Sequence, residues 1–365
     1  MKRCIVHLDL DYFFAQCEEV RDPQLKGKPL MVCVYSGRSE DSGVISTANY
    51  EARKFGVKSG IPIVIAKKYL IDIPESIFLP MNRDMYSDLS QKVMAIAREY
   101  GDPIEQTGLD ECYIEITRRL DKDFEGSEDL ADLLKEKIRK LVGLTSSIGI
   151  APNKLVAKIA SEFCKADGLK LVRPEDVLDF LSPLSINQLP GIGKKMLVRM
   201  NDLGVSEIGD LRELKLEALI REFGKSQGLY FHDAAHGIDN LPVKERGEAE
   251  QIGRIVTLKE DSNDLNFIKG SLERISGDVY DRCQERGVAF RSLGVILITD
   301  EIKTYSRSRT FDSKSISRQK ILELGCELTE IFLRENPAIK IRRIGLKLYG
   351  FEATDNQTSL SQFMN

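Results

Sequence analysis

No Cys-x-x-Cys pair and no long apolar run occur in this sequence of 365 residues. Its seven cysteines are scattered and odd in number, so the sequence indicates neither a zinc site nor a disulfide framework. Because no apolar segment approaches about 20 residues, we expect neither a signal peptide nor a transmembrane helix. Positive charge is not in excess either, since the formal net charge is −4. We therefore expect a soluble, cytoplasmic protein with no membrane partner.

The composition is that of a folded protein with several domains. Apolar residues make up 42% of the chain and charged residues 30%, and this length suffices for two or three domains. Residues 303–320 carry six basic residues against one acid, and residues 340–349 carry four and no acid. Local basic segments of this kind indicate a surface that binds phosphates.

Two adjacent acids, Asp110 and Glu111, stand where a half-buried strand begins. Apolar and polar side chains alternate over residues 112–117, which is the period of a strand with one buried face. A hairpin that bends at Gly108 would let both carboxylates serve one point. Crowded carboxylates repel one another unless a cation lies between them, so this point could hold a cation. A lone Asp-Glu pair is more often a solvated turn, so a cation site requires a third carboxylate.

Asp9 is the candidate for that third carboxylate. It lies near the end of an apolar strand predicted over residues 4–10. A helix is predicted over residues 12–20, with Asp11 as its N-cap. The N–H groups at a helix start bind phosphates. Asp9 and Asp11 could both be ordinary capping residues, an interpretation that we favour for Asp11 but not for Asp9.

Four segments resemble the Y-family DNA polymerases, and the archaeal DNA polymerase IV type in particular. They are residues 7–16 (HLDLDYFFAQ), 47–53 (TANYEAR), 109–113 (LDECY) and 149–154 (GIAPNK). Their order and spacing resemble the family from the first residue to about residue 351. The resemblance implies a lesion-bypass DNA polymerase that adds dNTPs to a primer 3′ end by two-metal nucleotidyl transfer, with low fidelity and no proofreading.

The resemblance also implies an α+β multidomain fold shaped like a right hand. The expected parts are a ferredoxin-like palm (1–11 and 79–171), small fingers (12–78), a helical thumb with a helix-hairpin-helix (172–237), a linker (238–251), a little finger (252–351) and a tail (352–365). In the last domain the pattern of residues itself predicts the element order βαββαβ, which we interpret as a second ferredoxin-like unit.

The family's site residues transfer to matching positions. Two Mg²⁺ ions, or Mn²⁺, would be held by the catalytic carboxylates of Asp9, Asp110 and Glu111 and by the Leu10 carbonyl. Phe14 would be the steric gate against ribonucleotides, although by itself it could be a core aromatic residue. The expected contacts to the incoming dNTP are the backbone of Tyr12 and Phe13 and the side chains of Thr47, Tyr50, Arg53 and Lys165.

Contacts to primer-template DNA are expected in two further places. One is the Leu-Pro-Gly-Ile-Gly-Lys-Lys segment, where Gly191 and Gly193 free backbone N–H groups for a phosphate. The other is the basic part of the last domain, with Arg307, Arg309, Arg342 and Arg343. There, a charged edge strand that prevents aggregation is the simpler alternative for part of the surface.

The tail resembles a sliding-clamp-binding motif. Its expected contacts are Gln357, Leu360, Phe363 and Met364. The polymerase itself is expected to be a monomer.

One position departs from the resemblance. Family members commonly have Ser-Ile-Asp-Glu where this chain has Gly108-Leu109-Asp110-Glu111, which removes a hydroxyl beside the primer terminus. Two other functions remain open from the sequence. A palm-fold nucleotide cyclase would share the acids, and a DNA-binding scaffold without activity would share the basic surface.

Overall fold

The computed structural model describes residues 2–120, 124–245, 247, 249–315 and 317–353. The chain divides into two compact units. The first holds the described residues of Met1–Cys33, Ile45–Ile61 and Ile65–Arg246, and the second those of Val34–Val44, Pro62–Val64 and Gly247–Asn365. Every helix in the described part of the chain is too short or too polar to cross a bilayer.

The described chain up to residue 171 alternates strands and helices. The strands are β1 (Ile5–Leu10), β2 (Leu30–Tyr35), β3 (Gly43–Ala48), β4 (Ile77–Pro80), β5 (Ile104–Gln106), β6 (Glu111–Glu115), β7 (Ser146–Ala151) and β8 (Leu169–Leu171). The helices are α1 (Phe13–Arg21), α2 (Tyr50–Arg53), α3 (Ile63–Tyr69), α4 (Arg83–Arg98), α5 (Ser127–Val142) and α6 (Lys154–Phe163).

The central sheet of the first unit has the strand order β5-β6-β1-β7-β8. Strand β1 is antiparallel to both neighbours, and Ile5, Val6 and Leu8 on it are fully buried. A strand covered on both faces is apolar on both faces, which explains the apolar run at the start of the sequence. With β1 and β6 in the centre, the sheet has the ferredoxin-like arrangement that was predicted. A smaller sheet has the order β3-β2-β4.

Asp11 is not the N-cap of α1, so that prediction is wrong. The N-cap is Tyr12, in a left-handed conformation with φ of 33°, and it makes no side-chain capping bond. Asp11 lies one residue earlier, fully buried beside β7. The Asp11 carboxylate therefore accepts hydrogen bonds from distant segments and not from the N–H groups at the start of α1.

Helix α5 buries only part of the apolar stripe that its sequence predicts, since Leu134 and Ile138 are buried as expected. The expected face included Leu133 and Leu141, but these side chains are 58% and 61% exposed. The buried stripe instead includes Ala131 and Lys135. The Lys135 ammonium donates to the carbonyls of Asp167 and Gly168 at 2.5 and 2.9 Å, so its charge is satisfied inside the protein.

The chain from residue 174 to residue 237 is wholly helical, as predicted. Its α-helices are α7 (Val177–Leu181), α8 (Lys194–Asp202), α9 (Ile208–Glu213), α10 (Leu216–Phe223) and α11 (Lys225–Ala235). They share one apolar core with α6, in which Phe231 and Met200 are fully buried. The first unit therefore continues from the sheet into this helical part.

The predicted order βαββαβ is confirmed in the second unit. Its elements are β9 (Gln251–Ser262), α12 (Leu265–Glu285), β10 (Val288–Thr299), β11 (Thr304–Ser315), α13 (Arg318–Glu335) and β12 (Ile341–Ala353). The strand order is β11-β10-β12-β9, so the second and fourth strands are central. A ferredoxin-like unit has its first and third strands there, and our expectation of a second such unit is therefore wrong.

Candidate active site

The strands that carry the acids are neighbours in the central sheet. The antiparallel register of β1 and β6 places Asp9 directly opposite Glu111. At the strand end, the Leu10 N–H donates to the Asp110 carbonyl oxygen at 2.8 Å. The Ser90 hydroxyl on α4 donates to the Leu109 carbonyl at 2.5 Å. The backbone of the β5–β6 hairpin, which we call the acid hairpin, is thus fixed from two sides.

Asp9 and Glu111 bring ligand atoms close together. Among the described residues, His7, Asp9 and Glu111 each offer one atom, and the three atoms lie within 4.8 Å of one another. His7 precedes Asp9 by two residues on β1, so it points to the same face of the sheet. In the part of the chain that the structure describes, the Asp110 carboxylate lies outside this group of three.

Glu111 is held by three side chains. Its carboxylate accepts from the Thr107 hydroxyl at 3.0 Å and pairs with Lys158 of α6. The oxygen that pairs with Lys158 also lies 3.3 Å from His7 Nε2. The contact with His7 holds the pKa of Glu111 well below its usual range, with help from Lys158 and against the effect of burial. Glu111 is therefore ionised at neutral pH.

His7 is fully buried, and this burial lowers the pKa of its imidazole. Its Nδ1 lies 2.7 Å from the Ser161 hydroxyl on α6. Nε2 has no well-aligned hydrogen bond among the described residues, although the Glu111 oxygen is near. The Ser161 hydroxyl also lies 2.8 Å from the Lys158 carbonyl, so its single proton serves either that carbonyl or His7 Nδ1.

Lys165 forms an ion pair with Asp9. Its Nζ lies 2.9 Å from an Asp9 oxygen and 2.9 Å from a Glu162 oxygen. Burial raises the pKa of Asp9, and Lys165 acts against that rise. Burial also works to lower the pKa of Lys165, but Asp9 and Glu162 outweigh it, so this pKa is raised. The lysine is therefore charged beside the acid.

Asp11 positions the segment that carries Lys165. Its buried carboxylate accepts from the hydroxyls of Ser147 at 2.7 Å and Thr145 at 2.8 Å. It also accepts from the Asp167 backbone N–H at 2.9 Å. Because these donors come from β7 and from the segment after α6, Asp11 ties both to the end of β1.

Asp110 lies at the turn of the acid hairpin. Burial raises the pKa of its carboxyl, and the charge of Glu111 adds to the rise. Its own backbone N–H acts in the opposite direction. The Gln106 side chain donates to the Gly108 carbonyl at 2.8 Å, which braces the turn next to Asp110.

Phe14 stands against a second aromatic ring. It stacks on Tyr86 with ring centroids 4.7 Å apart and planes 20° apart. The Tyr86 hydroxyl donates to the buried Glu18 carboxylate at 2.6 Å. Phe13 is buried and also contacts the Tyr86 ring. The Phe14 ring therefore has a fixed backing on α4.

Three of the residues expected at the triphosphate adjoin one another, with Tyr12 at the N-cap of α1 and Tyr50 and Arg53 on α2. The Tyr12 and Tyr50 rings meet edge to face at 5.1 Å, and the Arg53 guanidinium lies 4.8 Å above the Tyr50 ring. The Tyr50 hydroxyl is buried and makes no hydrogen bond to any described residue. Arg53 donates to the Ala48 carbonyl at 2.9 Å, and Thr47 precedes that residue on β3.

The helical part contributes a turn beside the acids. Gly191 has φ of +89° and Gly193 is the N-cap of α8. A β-carbon on Gly193 would meet no described atom within 4 Å, so its backbone is open to approach. Residues 187–193 line a cavity of about 440 Å³ together with Asp9, Lys158 and Glu162. The structure thus brings Gly191 and Gly193 to the same cavity as Asp9.

The arginines of the second unit lie apart along its sheet. Arg307 and Arg309 lie two residues apart on the edge strand β11. Arg307 pairs with Glu335 of α13, and Arg309 pairs with Glu327 of the same helix. The spacing of two places both arginines on one face of β11, and it is the face toward that helix. Arg342 on β12 lies 3.7 Å from Asp261, and its neighbour Arg343 is exposed.

The tail residues Gln357, Leu360, Phe363 and Met364 lie outside the described residues. Three side chains of the site were missed by the sequence interpretation, namely His7 and Lys158 at the acids and Tyr86 behind Phe14. A signal existed for two of them. His7 shares the strand face of Asp9 by its spacing of two, and Lys158 lies on α6 seven residues before Lys165. Nothing local in the sequence pairs Tyr86 with Phe14.

Comparison with known proteins finds relatives that match nearly the whole chain. Residues 8–162 match the model of the impB/mucB/samB family, and residues 249–361 match its C-terminal domain. Residues 187–239 match a model described as the thumb domain of DNA polymerase-iota. A similar relative is the DNA polymerase IV of Nitrosopumilus maritimus, which is 42% identical over 99% of each chain.

Two solved structures resemble the fold closely. A Y-family DNA polymerase chimera of Dbh and Dpo4 superposes with a TM-score of 0.89, at 34% identity, covering 96% of this chain and 100% of the other. An insertion ternary complex of Dbh DNA polymerase has a TM-score of 0.68 with the same identity and coverage. These likenesses bear out the right-hand architecture expected from the sequence. By identity and coverage, the chain belongs to the impB/mucB/samB family, the Y-family DNA polymerases.

Proposed function

We propose that this chain is a template-directed DNA polymerase of the lesion-bypass type, which adds dNTPs to a primer 3′ end without proofreading. The observation that carries the proposal is the pairing of Asp9 with Glu111 across β1 and β6, in a chain whose full-length relatives are named DNA polymerase IV. The alternatives of a nucleotide cyclase and of a scaffold without activity receive no support from those relatives.

A polymerase of this family uses divalent metal ions. We infer that the ions are two Mg²⁺, with Mn²⁺ as a substitute, and that Asp9, Asp110, Glu111 and the Leu10 carbonyl hold them. Carboxylate and carbonyl oxygens are the donors that Mg²⁺ prefers, and the cluster of His7, Asp9 and Glu111 is compact enough for one ion. When bound, such a pair of ions lowers the pKa of the primer hydroxyl and neutralises the leaving pyrophosphate.

The protein's own side chains bind and orient the incoming nucleotide in this proposal. The unpartnered Tyr50 hydroxyl donates to a phosphate oxygen, and Arg53 beside it supplies a forked donor. Lys165 leaves Asp9 for the triphosphate, which frees the Asp9 carboxylate. The N–H groups of Tyr12 and Phe13 at the start of α1 face the phosphates. Thr47 lines the same pocket.

Phe14 excludes ribonucleotides by occupying the space of a 2′-hydroxyl. The stack with Tyr86 supports this role because it leaves the ring no room to retreat. His7 and Lys158 orient Glu111 toward the primer end. Each is a positioning residue, since it acts through that carboxylate.

The remaining parts grip DNA without reading its sequence. We propose that residues 1–11 and 79–171 form the palm, 12–78 the fingers, 172–237 the thumb and 252–351 the little finger, joined by the linker 238–251. The backbone at Gly191 and Gly193 binds primer phosphates, and Arg307, Arg309, Arg342 and Arg343 bind the template backbone. The enzyme acts as a monomer in the cytoplasm, beside the DNA that it copies.

Primer extension tests the proposal directly. The full chain is given a primer-template, dNTPs and Mg²⁺, on undamaged DNA and on a template with one abasic site. We expect addition of nucleotides on both templates and no removal of a mismatched primer end. Failure to extend the undamaged primer, with DNA binding intact, would instead favour the scaffold.

The clamp contact through residues 357–364 of the tail remains a proposal with its own test. A chain that ends at residue 356 should extend primers as the full chain does when acting alone. With the sliding clamp of the same organism on circular DNA, only the full chain should be stimulated. Equal stimulation of both chains would refute the tail as the contact.

A further inference from the structure

Gly108 is not required by the backbone conformation at the acid hairpin. It is absent from the thirteen glycines with positive φ in the described chain, so an alanine or serine could adopt its backbone angles. The two carbonyls around it are already bound, Gly108 by Gln106 and Leu109 by Ser90. What the glycine supplies at this position is therefore room, and not a special backbone conformation.

The Asp110 carboxylate takes up that room. A β-carbon built on Gly108 would lie 2.9 Å from Asp110 Oδ1 and 3.3 Å from Glu111 Cγ. Ordinary van der Waals contacts between such atoms begin near 3.4 Å, so the carboxylate could not stay where it is. The backbone of Asp110 is held by Leu10, which leaves rotation of the side chain as the available adjustment.

This position of Asp110 is outside the cluster of ligand atoms. Within the described residues, His7, Asp9 and Glu111 lie within 4.8 Å of one another, and Asp110 is not among them. The Asp110 backbone is nonetheless adjacent to that cluster, because its carbonyl accepts from the residue after Asp9. Rotation of the Asp110 side chain on this fixed backbone can therefore move its carboxylate from the position over Gly108 toward Asp9.

We propose that Gly108 gives the Asp110 carboxylate a second position over the turn, and that Asp110 must leave this position to bind metal. We call it the parked position. Gly108 is a positioning residue in this scheme, because it acts through Asp110. The inference rests on the proposed metal role of Asp110. Any residue with a β-carbon at position 108 would remove the parked position and leave Asp110 directed at Asp9 and Glu111.

The expected effect follows from population arithmetic. The apparent metal affinity equals the intrinsic affinity multiplied by the fraction of molecules whose Asp110 carboxylate is free to bind metal. If the parked position holds about two-thirds of the molecules, its removal tightens metal binding about threefold. The rate at saturating metal should change far less, because the same three carboxylates hold the ions in both proteins once they are bound.

Binding of Mn²⁺ tests this without turnover. The full chain is bound to a primer-template with a dideoxy-terminated primer and the next correct dNTP. Electron paramagnetic resonance then measures free Mn²⁺ for the wild type, Gly108→Ala, Asp110→Asn and the double variant. We expect Gly108→Ala to bind Mn²⁺ about threefold more tightly, and to show no gain in the Asp110→Asn background. Gly108→Ser should shift affinity in the same direction, and melting temperatures identify a variant that misfolds.

The outcomes separate the inference from the function on which it depends. If Asp110→Asn weakens Mn²⁺ binding but Gly108→Ala and Gly108→Ser leave it unchanged or weaker, the parked position is refuted while the metal site stands. A gain that persists without the Asp110 carboxylate also refutes it. If Asp110→Asn binds Mn²⁺ as the wild type does, the metal role of Asp110 fails and the inference fails with it.

Discussion

The acid edge of the first unit and the arginine edge of the second handle charge in opposite ways. At the acids, side chains are largely buried and each has several charged neighbours, as Glu111 has with His7 and Lys158. On β11, Arg309 pairs with a single glutamate, Glu327, and both are about half exposed. Both regions combine acids with bases, but only the first removes them from water.

Burial decides what each arrangement can do. Charges in a low-dielectric site interact strongly and depend on one another, so one change at the acids disturbs the neighbours too. Exposed pairs are weakened by salt and exchange partners at little cost. The first arrangement suits fixed geometry for chemistry. The second suits a surface that exchanges a glutamate for a phosphate and releases it again as DNA moves.

The largest effect is expected at the acid edge. Asp9→Asn should lower the rate of nucleotide addition by at least about a hundredfold, because it removes one charge from a preorganised, buried site. Pre-steady-state extension measures this, with DNA binding followed by fluorescence anisotropy. Asp84→Asn, at an exposed carboxylate in the first turn of α4, is the matched control. If Asp9→Asn adds nucleotides at close to the wild-type rate, the buried charge of Asp9 is not required for the reaction.

Phe14 is expected to have the next largest effect, and it acts through packing, not charge. Phe14→Ala should raise the efficiency of ribonucleotide addition relative to dNTP by about 10- to 200-fold, the range for loss of a steric contact in a pocket. Single-nucleotide insertion with dCTP and CTP gives the ratio. Phe267→Ala, at a partly exposed ring on α12, should not change it. An unchanged ratio in Phe14→Ala would mean that the stack on Tyr86 does not face the sugar.

The sequence predicted those contacts that one segment or one motif contains. The strand that holds Asp9, the hairpin of Asp110 and Glu111, and the order of the last six elements all follow from local patterns. Asp11 was mispredicted as a cap because Thr145, Ser147 and Asp167 reach it from more than 130 residues away in the sequence. A local signal cannot reveal such donors. The same applies to Tyr86, which packs on Phe14 from α4.

A smaller effect is expected on the arginine edge. Arg309→Ala should reduce the slope of log affinity against log salt by about one, because one fewer phosphate is neutralised. Anisotropy titrations at several salt concentrations measure the slope on a primer-template. Arg334→Ala on α13, which is 73% exposed and pairs within its own helix, serves as the control. An unchanged slope in Arg309→Ala would leave β11 as a charged edge strand protected from aggregation.

The smallest effect concerns the partner of that arginine. Arg309 donates two hydrogen bonds to the Glu327 carboxylate, at 2.6 and 2.7 Å, and these hold the pKa of Glu327 below its usual range. Glu327→Gln keeps the shape but removes the charge that competes with phosphate. DNA affinity should therefore rise about twofold at low salt and return to the wild-type value as salt screens the pair.

The corresponding neutralisation at the acid edge, Glu111→Gln, should have the opposite effect. It should leave Lys158 and His7 without their charged partner and lower activity. If Glu327→Gln instead weakened DNA binding, the glutamate would orient Arg309 for the phosphate, and the two edges would differ only in degree.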